Sequence, residues 1–286
     1  MLDFVSISTK TKSGELQVTP SFKVIKSKDL MIRGNSFYSI WDEEEQKWST
    51  DEFEAIRLID QATLEYCRKE LNDNGSPQLL MNADNCLIDK WKKYCQKQSI
   101  NNYKPLDETL IFSNMEKKRE NYSSKSLPYP LERGDYSAWD RLLSVLYSEE
   151  ERHKIEWGIG SIVSGDSKWI QKFMVFYGSA GTGKSTILNI VQMLFEGYYA
   201  IFDAKALAGS NNAFALEAFR GNPLVAIQHD GDLSKIEDNT KLNSLVSHEE
   251  MTVNEKFKSS YTSSFKAFLM MGTNKPVKIT DAKSGL

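Results

Sequence analysis

Hydrophobic residues recur with two different periods along the chain, and the period indicates which segments form strands and which form helices. Two short aromatic-rich stretches between residues 30 and 50, joined by an acidic turn, predict two strands. Residues 49–51 form a helix cap, and apolar residues follow at helical spacing from Glu52 to about Leu71. Further helices are predicted from about Leu79 to Gln98 and from Ser137 to about Ser164. The first half of the chain is therefore a small α+β region followed by a helical segment.

From residue 173 onward, short apolar strands alternate with helical patterns. Strands are predicted at residues 173–177, 199–202, 224–228 and 265–272, helices at 187–195, 212–219 and 239–246, and a hairpin at 251–265. This alternation predicts a mainly parallel sheet with helices on both faces, which is an α/β fold, and the preceding helical segment is expected to dock on it. We divide the chain into an N-terminal α+β region (1–104), a connector and helical segment (105–165) and an α/β core (166–286).

Composition and charge narrow the class of protein. The chain has 286 residues, of which 40% are apolar and 26% charged, as in ordinary soluble proteins. No apolar run approaches the ~20 residues needed to cross a bilayer, and the first residues do not resemble a signal peptide, so we expect a cytoplasmic protein without membrane contacts. The net charge of −3 confines any nucleic-acid site to a local patch. Three cysteines without paired spacing predict neither a disulfide framework nor a zinc site.

The strongest chemical signal is a glycine-rich turn between an apolar strand and a helix. Its residues are Gly178, Ser179, Ala180, Gly181, Thr182, Gly183, Lys184, Ser185 and Thr186. This spacing is typical of a phosphate-binding loop, in which backbone N–H groups surround the phosphates of a nucleotide, Lys184 reaches the outer phosphates and the Ser185 hydroxyl binds Mg²⁺. The alternative is a strand, turn and helix that bind nothing. The flanking strand and helix are the context that the motif requires, and they favour nucleotide binding.

Polar residues follow two later strands at positions that suit phosphate chemistry. Asp230 and Asp232 come after the strand at 224–228, and Asp230 is the first choice for holding Mg²⁺ or orienting water. Asn274 follows the strand at 265–272 and could hold the attacking water or the outermost phosphate. Both segments are also good turn formers, which is the structural alternative.

Taken together, these motifs resemble the superfamily 3 helicases, specifically the phage and poxvirus primase-helicase type. The loop, Asp230, the segment 246–258 and Asn274 occur in the family's order, and the resemblance covers about residues 105–286 and, more weakly, residues 37–48. It implies an AAA+-like ATPase core that uses ATP and Mg²⁺. It also implies a homo-oligomeric, hexameric ring on single-stranded DNA, a DNA helicase that works with other replication proteins in phage DNA replication in the host cytoplasm. By family position, the hairpin tip that contacts DNA is Lys256, Phe257 and Lys258.

Two departures from the family pattern modify this expectation. Family members often carry two acids at the second strand end, and here His229 takes the place of the first. The family's arginine finger follows the Asn strand, but no arginine occurs after Arg220 in this chain. We therefore expect ATP binding with weak hydrolysis. Two alternatives stay open: an ATP-gated replication initiator or assembly ATPase that does not unwind DNA, and a small-molecule kinase, which would need a lid rich in arginine.

Overall fold

A computed structural model of the protein describes residues 2–12, 15–33, 36–70, 87–97, 110–208, 215–232, 234, 238–253 and 261–277. The chain forms two compact units, Met1–Pro130 and Leu131–Leu286. The predicted boundary after residue 104 lies outside the described residues, and the one after residue 165 falls inside the second unit, so the three-part division stays a prediction. None of the helices that the structure describes is long and apolar enough to cross a membrane.

The first unit consists of antiparallel strands and two helices. Its elements are β1 (Val5–Lys12), β2 (Glu15–Phe22), β3 (Leu30–Arg33), β4 (Ser36–Asp42), β5 (Lys47–Ser49), α1 (Glu52–Glu70) and α2 (Leu87–Lys97). β1 and β2 form a hairpin, and β3, β4 and β5 form a separate sheet in that order. The predicted helix cap is confirmed, because the Asp51 carboxylate accepts a hydrogen bond from the Phe53 amide at 2.8 Å.

An aromatic cluster forms the core of this unit. Trp91 of α2 is fully buried, and its ring lies 5.8 Å from that of Phe4 and 5.5 Å from that of Phe22. Tyr94, one turn along the helix, buries its ring in the same cluster and donates its hydroxyl to the Lys23 carbonyl oxygen at 3.0 Å. Burial of this aromatic area holds α2 against the strands.

The second unit contains a parallel sheet with flanking helices, which confirms the α/β prediction. Its elements are α3 (Ser137–Leu146), α4 (Glu149–Ser164), β6 (Met174–Tyr177), α5 (Lys184–Leu194), β7 (Tyr199–Ile201), α6 (Ala204–Ala208), β8 (Val225–Gln228), α7 (Thr240–Val246), β9 (Glu250–Val253), β10 (Tyr261–Ser264) and β11 (Phe268–Thr273). The sheet order is β6-β11-β8-β7, and every pair is parallel. β9 and β10 form a separate antiparallel pair, as the hairpin prediction requires.

The α3–α4 segment packs on the sheet, as expected. α4 begins with a capping box, in which the Ser148 side chain accepts from the Glu151 amide and the Glu151 carboxylate accepts from the Ser148 amide. Farther along, a Cβ added to Gly158 would lie 2.7 Å from the Cε of Met174, so glycine lets this helix approach β6 closely. The segment therefore belongs to the same compact unit as the loop.

The sequence prediction differs from the structure around residues 204–219. α6 was not predicted, and the helix expected at 212–219 is a 3₁₀ turn at Glu217–Phe219, with residues 209–214 outside the described part. The turn is stabilised by tertiary burial, since Phe219 is fully buried between the rings of Phe202 and Phe265. Helical periodicity over so short a segment does not distinguish a 3₁₀ turn from an α-helix.

Candidate nucleotide-binding site

The loop between β6 and α5 needs glycine at two positions. Gly181 and Gly183 have φ angles of 80° and 79°, in the left-handed region that residues with a side chain rarely adopt. A Cβ at Gly183 would also lie 2.6 Å from the Cδ1 of Leu146, at the end of α3, whereas a Cβ at Gly181 would have nothing within 4 Å. The glycines thus give the loop its shape, and Gly183 also makes room for α3.

Lys184, the first residue of α5, turns back into this loop. Its side-chain ammonium donates to the carbonyl oxygens of Gly178 at 2.8 Å and Ser179 at 2.7 Å, and lies 3.3 Å from the Thr182 hydroxyl oxygen. The residue is only 8% exposed. A charged ammonium at the centre of the loop's curve is in position to attract an anion that enters it.

The backbone of the loop presents donors that have no partner. Among the described residues, none of the amide N–H groups at 179–186 donates a well-formed hydrogen bond to a protein group, although residues 180 and 181 lie in a turn. Gly183 precedes α5 without a side-chain cap, and the first turn of this helix carries no acid. Ser185 and Thr186 are exposed there. Unpaired amides at the positive end of a helix form a site that favours phosphate.

Two backbone hydrogen bonds join the three segments that the sequence analysis singled out. The Gly178 amide donates to the Thr273 carbonyl oxygen at the end of β11 (3.2 Å), and the Gly231 amide after β8 donates to the Gly272 carbonyl oxygen (2.8 Å). A Cβ at Gly272 would lie 2.6 Å from the carbonyl oxygen of His229. The backbone of β11 and the segment after β8 therefore approach as closely as a glycine permits. The loop, Asp230 and Asn274 therefore lie at the same edge of the sheet.

The two predicted acids have different surroundings. Asp230 is exposed, and its carboxylate has no hydrogen bond or ion pair with any described residue. Asp232 accepts from the Lys275 ammonium at 2.6 Å and from the Ser234 hydroxyl at 2.5 Å, and Lys205 lies 3.8 Å away. The hydrogen bonds from Lys275 and Ser234 hold the pKa of the Asp232 carboxyl well below its usual range. Asp230 is the acid that is open to a metal ion.

The remaining polar residues near the loop come from β8 and β11. Asn274 directly follows β11 and is exposed. The His229 ring nitrogen Nε2 lies 3.3 Å from the side-chain oxygen of Gln192, on α5, so this histidine contributes to the packing of β8 against the helix. Lys275 was not singled out from the sequence, although it directly follows Asn274.

Comparisons with known proteins add a family match over this region. A model described as a family of unknown function (DUF5906) matches residues 176–285, which begins in β6 and includes the loop, Asp230 and Asn274. A search of curated proteins finds no match. Three solved structures, all of the apo C-terminal region of NrS-1, are similar at 14% identity over 54% of this chain, with TM-scores of 0.41, 0.41 and 0.38. The match spans only 36% to 38% of those chains, and similarity at this level carries no conclusion about function.

The hairpin between β9 and β10 was predicted to carry the residues that contact DNA. Lys256, Phe257 and Lys258 lie outside the described residues, between β9 and β10. The base of this hairpin is described, and His248 lies there. Its ring nitrogens are 2.8 Å from the Phe265 carbonyl oxygen and 3.2 Å from that of Ser167, so one side chain links the start and the end of the hairpin to the segment after α4.

Proposed function

We propose that this chain binds ATP with Mg²⁺ through the loop at 178–186 and is the ATPase motor of a DNA helicase of the superfamily 3 type. The observation that carries the first step is the row of unpaired amides at 179–186 around a buried Lys184. Water can satisfy exposed amides of this kind, so what favours phosphate is their combination with the Lys184 ammonium inside the glycine-rich curve and with the positive end of α5.

The residues present fit a magnesium nucleotide. The amides and the Lys184 ammonium would hold the phosphates, the exposed Ser185 hydroxyl and Asp230 carboxylate supply the oxygen ligands that Mg²⁺ prefers, and Asn274 adds a neutral polar group. Bound Mg²⁺ would neutralise charge on the phosphate oxygens. Lys184 would exchange its carbonyl partners for phosphate oxygens, since a charged acceptor binds an ammonium more strongly than a carbonyl does.

The helicase part of the proposal is supported by motif order. Loop, acidic strand end, hairpin and Asn strand follow one another as in the helicase family. In the sequence, the segment 254–260 joins the paired β9 and β10, and its two lysines and phenylalanine are residue types that suit the sugar-phosphate backbone and bases of single-stranded DNA. Ring formation on single-stranded DNA and a role in phage-type replication are parts of the same proposal.

Nucleotide binding is the first property to measure. Titration with ADP and with a non-hydrolysable ATP analogue plus Mg²⁺ is expected to show saturable binding, which Lys184→Ala weakens about tenfold or more because a charge-assisted contact is lost. Lys172→Ala, which removes an exposed lysine just before β6, is the matched control and should bind like the parent chain. Absence of binding in the parent chain, or equal binding in the Lys184→Ala variant, contradicts the proposal.

Assembly and unwinding test the second step. With the ATP analogue and single-stranded DNA, the mass of the parent chain should increase to that of a ring, and the Lys184→Ala variant should stay smaller. A strand-displacement assay then separates a helicase from an ATP-gated assembly factor. ATP-dependent assembly without displacement of a strand would favour the assembly factor.

A further inference from the structure

We propose that Lys275 is a second phosphate-binding lysine, held by Asp232 when the site is free of nucleotide and transferred to the terminal phosphate of a bound nucleoside triphosphate. The inference rests on the proposed function of the loop and adds a residue that discriminates a triphosphate from a diphosphate. It depends on three observations: where the Lys275 backbone is fixed, what its ammonium contacts, and what would replace it on Asp232.

The Lys275 backbone is fixed beside the loop. The Thr273 carbonyl oxygen accepts a hydrogen bond from the Gly178 amide. The Thr273 hydroxyl accepts a hydrogen bond from the Lys275 amide at 3.1 Å and donates one to the Lys275 carbonyl oxygen, also at 3.1 Å. Only one residue therefore separates Lys275 from a residue in direct contact with the first glycine of the loop. Because a lysine carries its ammonium on a flexible four-carbon stem, we infer that Lys275 can reach the phosphate region of the loop.

Among the residues that the structure describes, the Lys275 ammonium has one ionic contact, to the Oδ2 of Asp232 at 2.6 Å. The side chain is 61% exposed, so little packing restrains it. The pKa of Lys275 is raised by the hydrogen bond and the charge of Asp232 and further by the charge of Asp230, so it carries its positive charge at neutral pH. A fully charged, lightly restrained lysine can exchange a carboxylate for a phosphate at little cost.

Asp232 would not be left without a cation after this exchange. Lys205, on α6, already lies 3.8 Å from the same Oδ2 atom. The Ser234 amide and hydroxyl continue to donate to Oδ1. Because replacement partners are in place, release of Lys275 does not leave an unpaired carboxylate.

The test compares nucleotides that differ by the terminal phosphate. Affinities for ADP and for a non-hydrolysable ATP analogue, each with Mg²⁺, are measured for the parent chain, Lys275→Ala, Lys275→Arg and the Lys172→Ala control. Lys275→Ala should weaken binding of the ATP analogue about tenfold and leave ADP affinity unchanged, while Lys275→Arg retains most of the preference. Unchanged ADP affinity also shows that the variant is folded at the site.

Asp232→Asn supplies the opposite perturbation. It removes the carboxylate that competes for the ammonium, so the affinity for the ATP analogue should increase relative to that for ADP. Equal losses for both nucleotides in Lys275→Ala, or no loss for either, would show that the Lys275–Asp232 pair serves only to hold the turn after β8. If the parent chain binds neither nucleotide, the proposed function fails as well, so the two failures are distinguishable.

Discussion

Alanine substitutions at Gly181 and Gly183 separate two causes of the loop's glycine requirement. The two residues have nearly equal φ angles, 80° and 79°, so a methyl group at either one incurs the same left-handed strain. Only at Gly183 does that methyl group meet another side chain, Leu146 at 2.6 Å. The difference between the two variants therefore measures the contact between the loop and α3.

The expected magnitudes follow from these geometries. Left-handed strain costs roughly 1–2 kcal/mol per residue, which is the whole expected loss for Gly181→Ala. Overlap with a packed side chain adds about 1–3 kcal/mol at Gly183, so Gly183→Ala should lose about 2–5 kcal/mol of unfolding free energy. In the background of Leu146→Ala the obstructing side chain is absent, and substitution of Gly183 should then cost no more than substitution of Gly181.

Hydrogen exchange of α5 amides across a urea series is the suitable assay. It reports the unfolding free energy of the second unit separately from that of Met1–Pro130, which tryptophan fluorescence cannot do because both units contain tryptophan. The measurement is made without nucleotide, so that loss of ligand binding does not contribute. Equal losses at Gly181 and Gly183, or a Gly183 loss that Leu146→Ala does not reduce, would refute the reasoning.

Three further predictions concern other parts of the fold. His248, at a φ of 57°, has a side chain that contacts two carbonyl oxygens, and His248→Ala removes both contacts. Hydrogen exchange in β9 and β10 should then accelerate by an amount equivalent to about 1–3 kcal/mol, and unchanged exchange would contradict this. Burial raises the pKa of the Cys95 thiol to about 12, so iodoacetamide at pH 8 should label it only after unfolding, as peptide mass spectrometry can show. Ser148→Ala breaks the capping box of α4 and should lower the unfolding free energy of the second unit by about 1 kcal/mol in urea titrations, whereas an unaltered midpoint would exclude a role for the cap.

Elements with strong local signals could be predicted from the sequence. α1 begins at the predicted Glu52, because Asp51 caps it and apolar residues follow at helical spacing. β8 is predicted within one residue, since four consecutive apolar or small residues suit a strand buried on both faces of a parallel sheet. The turn between β6 and α5 was also predicted, because the glycines, lysine and serine of the motif require a strand before it and a helix after it; its binding of phosphate stays a prediction.

Contacts between distant segments could not be predicted in the same way. The sequence analysis assigned no element to residues 5–22. In the structure β1 and β2 pair there, from Val5 with Phe22 to Lys12 with Glu15. Their many polar residues obscure the alternation of apolar and polar positions that is typical of a strand. Asp232 was treated as a possible catalytic acid, and only the structure shows it in contact with Lys275, 43 residues away. Partners so far apart in sequence are brought together by the sheet order, which periodicity does not encode.

The sequence nevertheless indicates one contact between distant segments, the close approach of β11 to the segment after β8 at Gly272. This residue lies inside β11, where glycine normally weakens a strand, and its φ is not in the left-handed region. Its role is explained by distance, because the His229 carbonyl oxygen leaves no space for a Cβ. A glycine just before the polar end of a strand therefore marks the place where β8 and β11 approach each other. That convergence brings Asp230 and Asn274 to the same edge of the sheet as the glycine-rich loop at 178–186, which is the arrangement that the proposed nucleotide site needs.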